Sequence, residues 1–287
     1  MNLTDTYRNY LRLLSKRALI VPKLYRYSRA PIQLLERKRL SSPNLLNPRE
    51  KGNLSQLRAE GYSPANELVD AGLLEELQAS VVQLRTAAAD APRGSKKTYW
   101  SSLLPKELDT DHILVRFALQ ENILQLVAAY FKESPYLYNI DLLSSFGTDT
   151  GKWDQSQLWH QDTSDAKVLK LWVYVSDVDS ADQGPFTYLP ADYSRVLPNL
   201  FQRRVSDERM RELGFADKAV AVLGPRKTSF LIDTRHCYHL GSRVNGDNVR
   251  LAYVATYFSF TSLSPDNAVK NTARNLSPLQ RLALSRR

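Results

Sequence analysis

The feature that most restricts the fold of this chain is a change in residue pattern near Tyr136. Before it, apolar residues recur every three or four positions, which is typical of amphipathic helices. After it, short apolar or alternating segments are separated by turn-forming residues, which is typical of strands. Helices followed by many strands predict an α+β protein whose sheets pack face to face or close into a barrel.

The predicted elements follow from the same spacing rules. Helices are expected over 65–90 and 122–131, with a further helical segment over 276–284. Residues 114–119 read as a strand, and a short strand begins within 57–64. The later strands are predicted at 136–142, 157–160, 168–175, 219–223, 229–233 and 250–260, and residues 184–190 are predicted to be a turn followed by a short strand.

Composition divides the chain into three parts. Residues 1–54 are expected to be a basic helical extension that ends in a linker, because turn formers are concentrated over 41–53. Residues 55–262 are expected to form the folded domain. Within it, residues 191–217 interrupt the strands, with Ser206 as a helix N-cap, and form a possible lid. Residues 263–287 are expected to be a basic, partly ordered tail.

The positive charge is concentrated near the N-terminus. Residues 1–60 contain 13 basic and 4 acidic residues, and the remaining residues contain 26 of each. Residues 61–287 therefore lack the excess of basic residues that is typical of nucleic-acid-binding domains. The basic extension is expected to pack on the body with solvated arginines. The alternative is that it contacts an anionic membrane surface or an acidic partner.

Few features point to secretion. The chain has one cysteine, Cys237, so an intrachain disulfide is impossible. The apolar run 18–21 is too short for a signal peptide. These features favour a cytoplasmic protein. The alternative is a cytoplasmic protein that associates with a membrane through its basic N-terminus. The oligomeric state is not constrained.

The segment Trp159-His160-Gln161-Asp162 carries the main chemical signal. In an extended chain, His160 and Asp162 point to the same face, so both side chains can reach one metal ion. A second imidazole arrives 77 residues after Asp162, at His239. Two histidines and one carboxylate with open positions form the facial triad of non-haem Fe(II) oxygenases. The motif therefore predicts an iron site.

The third ligand has two candidates, His236 and His239, which are three residues apart and point to opposite faces of an extended chain. His239 is favoured because Gly241 leaves room beside it, and because Arg250 follows eleven residues later. His112 is expected to be a loop residue.

Arg250 stands at the start of an apolar strand, where a buried guanidinium needs an anionic partner. A dicarboxylate cosubstrate would supply one. The alternative partner is a carboxylate of the chain itself, Asp233 or Asp247. Arg243 is the competing anion ligand, but its position in a turn predicts greater exposure.

The order of four blocks resembles the phytanoyl-CoA dioxygenase family of Fe(II)/2-oxoglutarate oxygenases. The blocks are residues 158–162, 171–178, 182–190 and 230–250, and the resemblance covers about residues 55–260. Two details depart from the family pattern: Gln183 replaces an asparagine before Gly184, and Pro190 is followed by Ala191 instead of glycine. Neither departure affects the proposed metal ligands.

This resemblance implies a double-stranded β-helix, a jelly-roll or cupin-like barrel with flanking helices. It implies Fe(II) bound by His160, Asp162 and His239, with Arg250 holding the distal carboxylate of 2-oxoglutarate. Trp172 resembles a residue that lines the cosubstrate pocket, although a core aromatic is an equal alternative.

The implied reaction uses O2 and 2-oxoglutarate to hydroxylate an unactivated C–H bond of a small molecule, with release of succinate and CO2. Because Asp162 is retained, the resemblance disfavours halogenation. Arginines in 191–217, among them Arg203 and Arg204, suggest an anionic or lipid- or glycan-linked substrate. The alternative function is a non-catalytic metal- or ligand-binding β-barrel tethered by its basic termini.

Overall fold

A computed structural model describes residues 38–88, 99–105, 107–147, 152–197, 204–260, 262, 269–272 and 275–284. The predicted N-terminal helical extension lies outside these residues, apart from its last few positions. Arg203 of the predicted lid also lies outside them. No helix in these ranges is long and apolar enough to cross a membrane.

Most of the longer helices precede the main strands, as the sequence pattern predicts. The described helices are α1 (Pro48–Glu60), α2 (Ala71–Ala88), α3 (Ile113–Ala118), α4 (Glu121–Phe131), α5 (Ala191–Val196), α6 (Asp207–Glu212) and α7 (Pro278–Leu284). The described strands are β1 (Tyr62–Pro64), β2 (Trp100–Ser102), β3 (Leu108–Asp109), β4 (Pro135–Phe146), β5 (Val168–Tyr174), β6 (Phe186–Tyr188), β7 (Val220–Val222), β8 (Ser229–Ile232), β9 (His239–Leu240), β10 (Val249–Ser259) and β11 (Val269–Lys270).

Two antiparallel sheets build the body of the protein. The larger sheet has six strands in the order β1-β8-β5-β10-β4-β2, and the smaller has three in the order β7-β6-β9. In the larger sheet, strands far apart in sequence are neighbours: β10 pairs with both β4 and β5. This arrangement brings residues from distant parts of the chain to one inner face.

Strand β5 shows how the larger sheet separates two cores. Leu169, Leu171 and Val173 alternate onto the outer face and join the apolar core that also contains the helices. Trp172 and Tyr174 point the other way, into a second core shared with Phe186 of the smaller sheet. The inner faces of the two sheets therefore face each other.

The linker predicted over 41–53 is wrong, because helix α1 begins inside it. Asn47 caps the helix and forms a reciprocal capping box with Glu50, and Pro48 occupies the first turn. Leu54 and Leu57 are buried in the helix-covered core. The asparagine and proline that suggested a linker are N-terminal helix signals. The boundary of the predicted domain at residue 55 thus falls within a helix.

The strand predicted over 114–119 is also wrong, because these residues form most of helix α3. Ile113, Leu114, Val115, Phe117 and Ala118 are all buried. A short segment that is buried on every side lacks the polar face by which periodicity distinguishes a helix from a strand. The His112 side chain accepts a hydrogen bond from the backbone N–H of Leu114, so His112 is a helix cap.

Several other predictions are confirmed with shifted limits. The helix predicted from residue 65 begins at Ala71, and the helix predicted over 122–131 is α4. The Ser206 hydroxyl accepts a hydrogen bond from the Arg209 N–H, as expected of an N-cap. The tail contains helix α7, whose Leu279 and Ala283 are buried in the main core.

Candidate metal centre

Three potential metal ligands converge between the two sheets. One ligand atom each from His160, Asp162 and His239 lies within 4.8 Å of the others. The backbones of His160 and His239 exchange two hydrogen bonds, at 3.0 and 2.9 Å, which fixes the two histidines side by side. Of the predicted strand 157–160, only Trp159 and His160 form bridges, and Gln157 belongs to a 3₁₀ turn. The structure therefore brings together the three residues that the sequence predicts as ligands.

Backbone carbonyls orient both imidazoles. Nδ1 of His160 lies 2.8 Å from the Leu158 carbonyl oxygen, and Nδ1 of His239 lies 3.1 Å from that of Cys237. A proton on Nδ1 donates to these carbonyls, which leaves Nε2 free as a ligand. Burial lowers the pKa of His160 and lowers that of His239 to about 3. Both rings are therefore neutral, as metal binding requires.

The Asp162 carboxylate is ionised. Burial alone would raise its pKa, but Lys170 and the two imidazoles hold that pKa well below its usual range. Lys170 Nζ lies 2.7 Å from Asp162 Oδ2. Apart from this ion pair, no hydrogen-bond donor among the described residues reaches this buried oxygen. A buried carboxylate oxygen of this kind suits a metal ion as its partner.

His236, the rejected candidate, has a different environment. Its Nδ1 lies 2.8 Å from Asp233 Oδ2, and its side chain is 56% exposed. The backbone N–H groups of Arg235 and His236 donate to Asp233 Oδ1, and Tyr130 donates to Oδ2. This cluster closes the turn after β8. His236 is thus a structural residue, and the choice of His239 over His236 agrees with the geometry.

Arg250 is fully buried on strand β10 without a carboxylate partner within the described ranges. Its guanidinium donates to the Gly184 carbonyl oxygen and to the hydroxyls of Ser145 and Ser242, the latter at 2.8 Å. The expected alternative of a salt bridge to Asp233 or Asp247 is therefore wrong. Burial lowers the pKa of Arg250 without neutralising it. A buried guanidinium held only by neutral groups is an anion site.

Two aromatic rings connect Arg250 to the metal ligands. The Arg250 guanidinium carbon lies 5.7 Å from the Trp172 ring centroid. The Trp172 and Phe186 rings are 5.0 Å apart, and the Phe186 and His239 rings are 5.5 Å apart. Trp172 Nε1 is buried and has no hydrogen-bond partner in the part of the chain that the structure describes. A donor for a ligand therefore lies between the anion site and the metal ligands.

The donor set and the neighbouring anion site determine the possible chemistry. Two neutral imidazoles and one carboxylate suit Fe(II), which accepts nitrogen and oxygen ligands and retains open positions in this set. A dicarboxylic 2-oxoacid fits a site that has a metal at one end and a buried guanidinium at the other. The residues present therefore fit both groups.

The second half of the predicted lid segment contacts Trp159, the residue before the metal ligand His160. Val205 and Trp159 form a backbone bridge, and Trp159 Nε1 donates to Asp207 Oδ1 at 2.9 Å. Arg243 forms two hydrogen-bonded contacts with the Asp207 carboxylate, at 2.7 and 3.0 Å. Arg243 is therefore satisfied within the chain and does not compete for a ligand. Lid movement stays a prediction.

One site residue escaped the sequence reasoning. Lys170 contacts the metal ligand Asp162, but it lies within the apolar run 168–175, which predicts only a buried strand. A single lysine in an otherwise apolar strand is the signal that would have identified it, because a buried amine needs a partner. The serines that hold Arg250 carry no comparable signal, because serine is common in strands and turns.

Solved structures share this architecture. The sequence matches no family model, and no curated protein matches it. EctD from S. alaskensis with 2-oxoglutarate and 5-hydroxyectoine is 16% identical, with a TM-score of 0.57 over 84% of this chain and 87% of EctD. The epimerase SnoN in complex with Fe3+, alpha ketoglutarate and nogalamycin RO is 19% identical, with a TM-score of 0.53 over 74% and 84%.

A third structure, HygX from Streptomyces hygroscopicus with nickel and 2-oxoglutarate bound, is 18% identical. Its TM-score is 0.52, over 74% of this chain and 87% of HygX. At this level of identity the likeness establishes the fold. The chain adopts the double-stranded β-helix of these enzymes, as the sequence resemblance implies.

Proposed function

We propose that this chain is an Fe(II)- and 2-oxoglutarate-dependent dioxygenase, similar to the phytanoyl-CoA dioxygenase family, that hydroxylates a C–H bond of a small molecule. The observation that carries the proposal is the pairing of two sites in the space between the two sheets. Three convergent metal ligands lie on one side of Trp172, and a buried guanidinium without a carboxylate partner lies on the other. Among the described residues, no side chain hydrogen-bonds Nε2 of either histidine, and no carboxylate pairs with Arg250.

Each site residue has a distinct role in this proposal. His160, Asp162 and His239 hold Fe(II). Arg250 binds the distal carboxylate of 2-oxoglutarate, and Ser145 and Ser242 orient the guanidinium. When bound, the metal and cosubstrate supply O2-dependent oxidation: 2-oxoglutarate and O2 give succinate and CO2, and one oxygen atom converts the substrate C–H to C–OH. The chain's contribution is orientation and the exclusion of water.

Trp172 and Phe186 provide much of that exclusion. Both rings are buried between the sheets, beside the proposed cosubstrate site. The unpaired Trp172 Nε1 supplies a donor to a cosubstrate oxygen. Exclusion of water strengthens the contact between Arg250 and a carboxylate, because charge interactions become stronger as the local dielectric constant falls.

The structural neighbours support the cofactors more strongly than the reaction. SnoN, EctD and HygX are described with iron or nickel and with 2-oxoglutarate. SnoN is an epimerase, so this fold and cofactor set also serve a different outcome. Hydroxylation is therefore our proposal for this chain, and the retained carboxylate of Asp162 argues against halogenation.

An anaerobic titration tests the cofactor assignment. Adding Fe(II) and then 2-oxoglutarate should produce a weak visible band, because light transfers an electron from Fe(II) to a bound 2-oxoacid. The variants Asp162→Ala and His160→Ala should lose the band. A well-folded wild-type protein without the band would favour the non-catalytic β-barrel instead. Succinate release during a screen of candidate substrates then identifies the molecule that is oxidised.

A further inference from the structure

The inner face of the larger sheet is divided into an aromatic part and a polar part. Trp172, Tyr174 and Phe230 form the aromatic part, near Arg250. The polar part consists of Asn139 and Asp141 on β4, Lys170 on β5 and Thr256 on β10, and we call these four residues the polar subsite. The metal ligand Asp162 contacts the polar subsite through Lys170.

Strand register places the four residues together. Thr256 is directly opposite Asn139 on one side and Lys170 on the other. Directly opposite residues in antiparallel strands have Cβ atoms about 4.5–5.5 Å apart. Asp141 lies two residues from Asn139 on the same face, and Asn139 opposes the rise that burial causes in the pKa of its carboxyl. The subsite therefore forms one continuous polar patch beside the metal ligands.

The subsite is partly open, unlike the aromatic part. Asn139 is exposed, and the Lys170 side chain is 20% exposed. Thr256 is buried. Burial raises the pKa of Asp141, and the charge of Lys170 opposes that rise. A molecule that enters next to the metal ligands would meet these polar groups before it meets apolar ones.

We propose that the polar subsite binds the substrate, and that the Lys170 ammonium holds an anionic group of it, a carboxylate or a phosphate. This inference rests on the proposed function, and it names the substrate class: a small hydrophilic molecule with one anionic group and hydroxyl groups. Asn139, Asp141 and Thr256 hydrogen-bond the hydroxyls. Arg250 is reserved for the cosubstrate, and Lys170 is the cation that lies within the polar subsite.

The charges around the metal ligands support an anion. Lys170 and Arg204 both lower the pKa of His160, so two cations lie on this side of the site. Asp162 is the present partner of Lys170, but its charge is shared with a metal once one is bound. An ammonium has three donors and can contact Asp162 and a substrate anion together. Within the polar subsite, Asp141 is the acidic residue that opposes the charge of Lys170.

The test uses three six-carbon probes that differ in charge: gluconate, glucose 6-phosphate and glucose. Each is titrated anaerobically into the full chain loaded with Fe(II) and 2-oxoglutarate, and the shift of the visible band reports binding near the metal. Lys170→Met removes the charge, and Lys170→Arg retains it. Lys270→Met is the matched control, because it removes one lysine charge from an exposed pair with Glu107.

We expect an anionic probe to shift the band, and glucose to have little effect. Lys170→Met should weaken anion binding by at least about tenfold, the loss expected for one charge-assisted hydrogen bond. Lys170→Arg should bind within a few-fold of wild type, and Lys270→Met should equal wild type. The tighter of gluconate and glucose 6-phosphate identifies the anionic group. Thermal unfolding of each variant shows that the fold is intact.

Three results overturn the inference while leaving the proposed function intact. The first is a band that forms normally but responds to glucose as strongly as to the anions, or to none of the probes. The second is wild-type anion affinity in Lys170→Met. The third is a parallel loss of 2-oxoglutarate affinity in that variant, which would place Lys170 on the cosubstrate. A wild-type protein that forms no band overturns the proposed function and this inference with it.

Discussion

Two neighbouring regions of this chain each contain a histidine and an arginine. The regions differ in whether these side chains donate hydrogen bonds to a carboxylate. In the turn region, His236 pairs with Asp233, and Arg243 pairs with Asp207. On the inner face, His239 faces Asp162 at 3.9 Å without a hydrogen bond, and Arg250 has only hydroxyl and carbonyl partners. His236 and His239 are three residues apart in the sequence, and Arg243 and Arg250 are seven apart.

The difference shows why residue type alone does not identify a site. A histidine or arginine whose partner lies within the chain contributes to the fold, and its removal costs stability. A buried histidine or arginine without such a partner lowers the stability of the free protein, and a bound ligand supplies the missing partner. The comparison therefore predicts opposite consequences for substitutions only a few residues apart.

The largest contrast is expected between the two histidines. His239→Ala should abolish iron binding, because it removes one of three ligands. His236→Ala should bind iron as wild type does, and should lower the free energy of unfolding by about 0.5–1.5 kcal/mol, since it removes one hydrogen bond. Iron content after anaerobic loading and chemical denaturation check both. Iron loss in His236→Ala but not in His239→Ala would reverse the assignment.

The two arginines give the next contrast. Arg250→Met should weaken 2-oxoglutarate binding by about 100-fold, the loss of roughly two hydrogen bonds between charged groups. Its free energy of unfolding should change by less than about 1 kcal/mol, because an apolar side chain replaces a buried, uncompensated charge. Ser145 and Ser242 remain satisfied, since their hydroxyl oxygens lie 3.0 Å apart.

Arg243→Met is the matched variant. It should keep 2-oxoglutarate affinity and lose about 1–3 kcal/mol of unfolding free energy, because Asp207 loses a two-point partner. Calorimetric titration and denaturation on the same samples measure both quantities. If Arg250→Met were the less stable variant and still bound 2-oxoglutarate, the distinction between the two regions would fail.

The smallest effect is expected at Trp172. Trp172→Phe keeps an aromatic ring against Phe186 and removes the Nε1 donor. The affinity for 2-oxoglutarate should fall about two- to tenfold, which corresponds to one neutral hydrogen bond. Unchanged affinity in a folded variant would make Trp172 a core aromatic only. Cosubstrate titration in the presence of Fe(II) makes this measurement.

The metal ligands could be predicted because their chemistry is restrictive. The chain has four histidines, and the two-residue spacing of His160 and Asp162 selects one of them at once. Extended geometry then separates His236 from His239. The structure places the predicted ligands together, although β9 supplies His239 from only two residues of strand.

Tertiary contacts could not be predicted in the same way. The pairing of Lys170 with Asp162 depends on how the loop after His160 folds over β5, and that of Arg243 with Asp207 joins segments 36 residues apart. The lone lysine in an apolar strand indicates that Lys170 needs a partner, but no local signal names Asp162 as that partner, and none joins Arg243 to Asp207. Helix α3 was misassigned because its side chains are buried on all sides, which removes the periodicity that identifies a helix.

The most direct test of the account is diffraction from crystals grown or soaked anaerobically with Fe(II) and 2-oxoglutarate, with anomalous data at the iron edge. We expect one iron bound by Nε2 of His160, Nε2 of His239 and the Asp162 carboxylate. We also expect 2-oxoglutarate to chelate that iron and extend past Trp172 to the Arg250 guanidinium. Iron at other residues, or a cosubstrate that does not reach Arg250, would contradict the account.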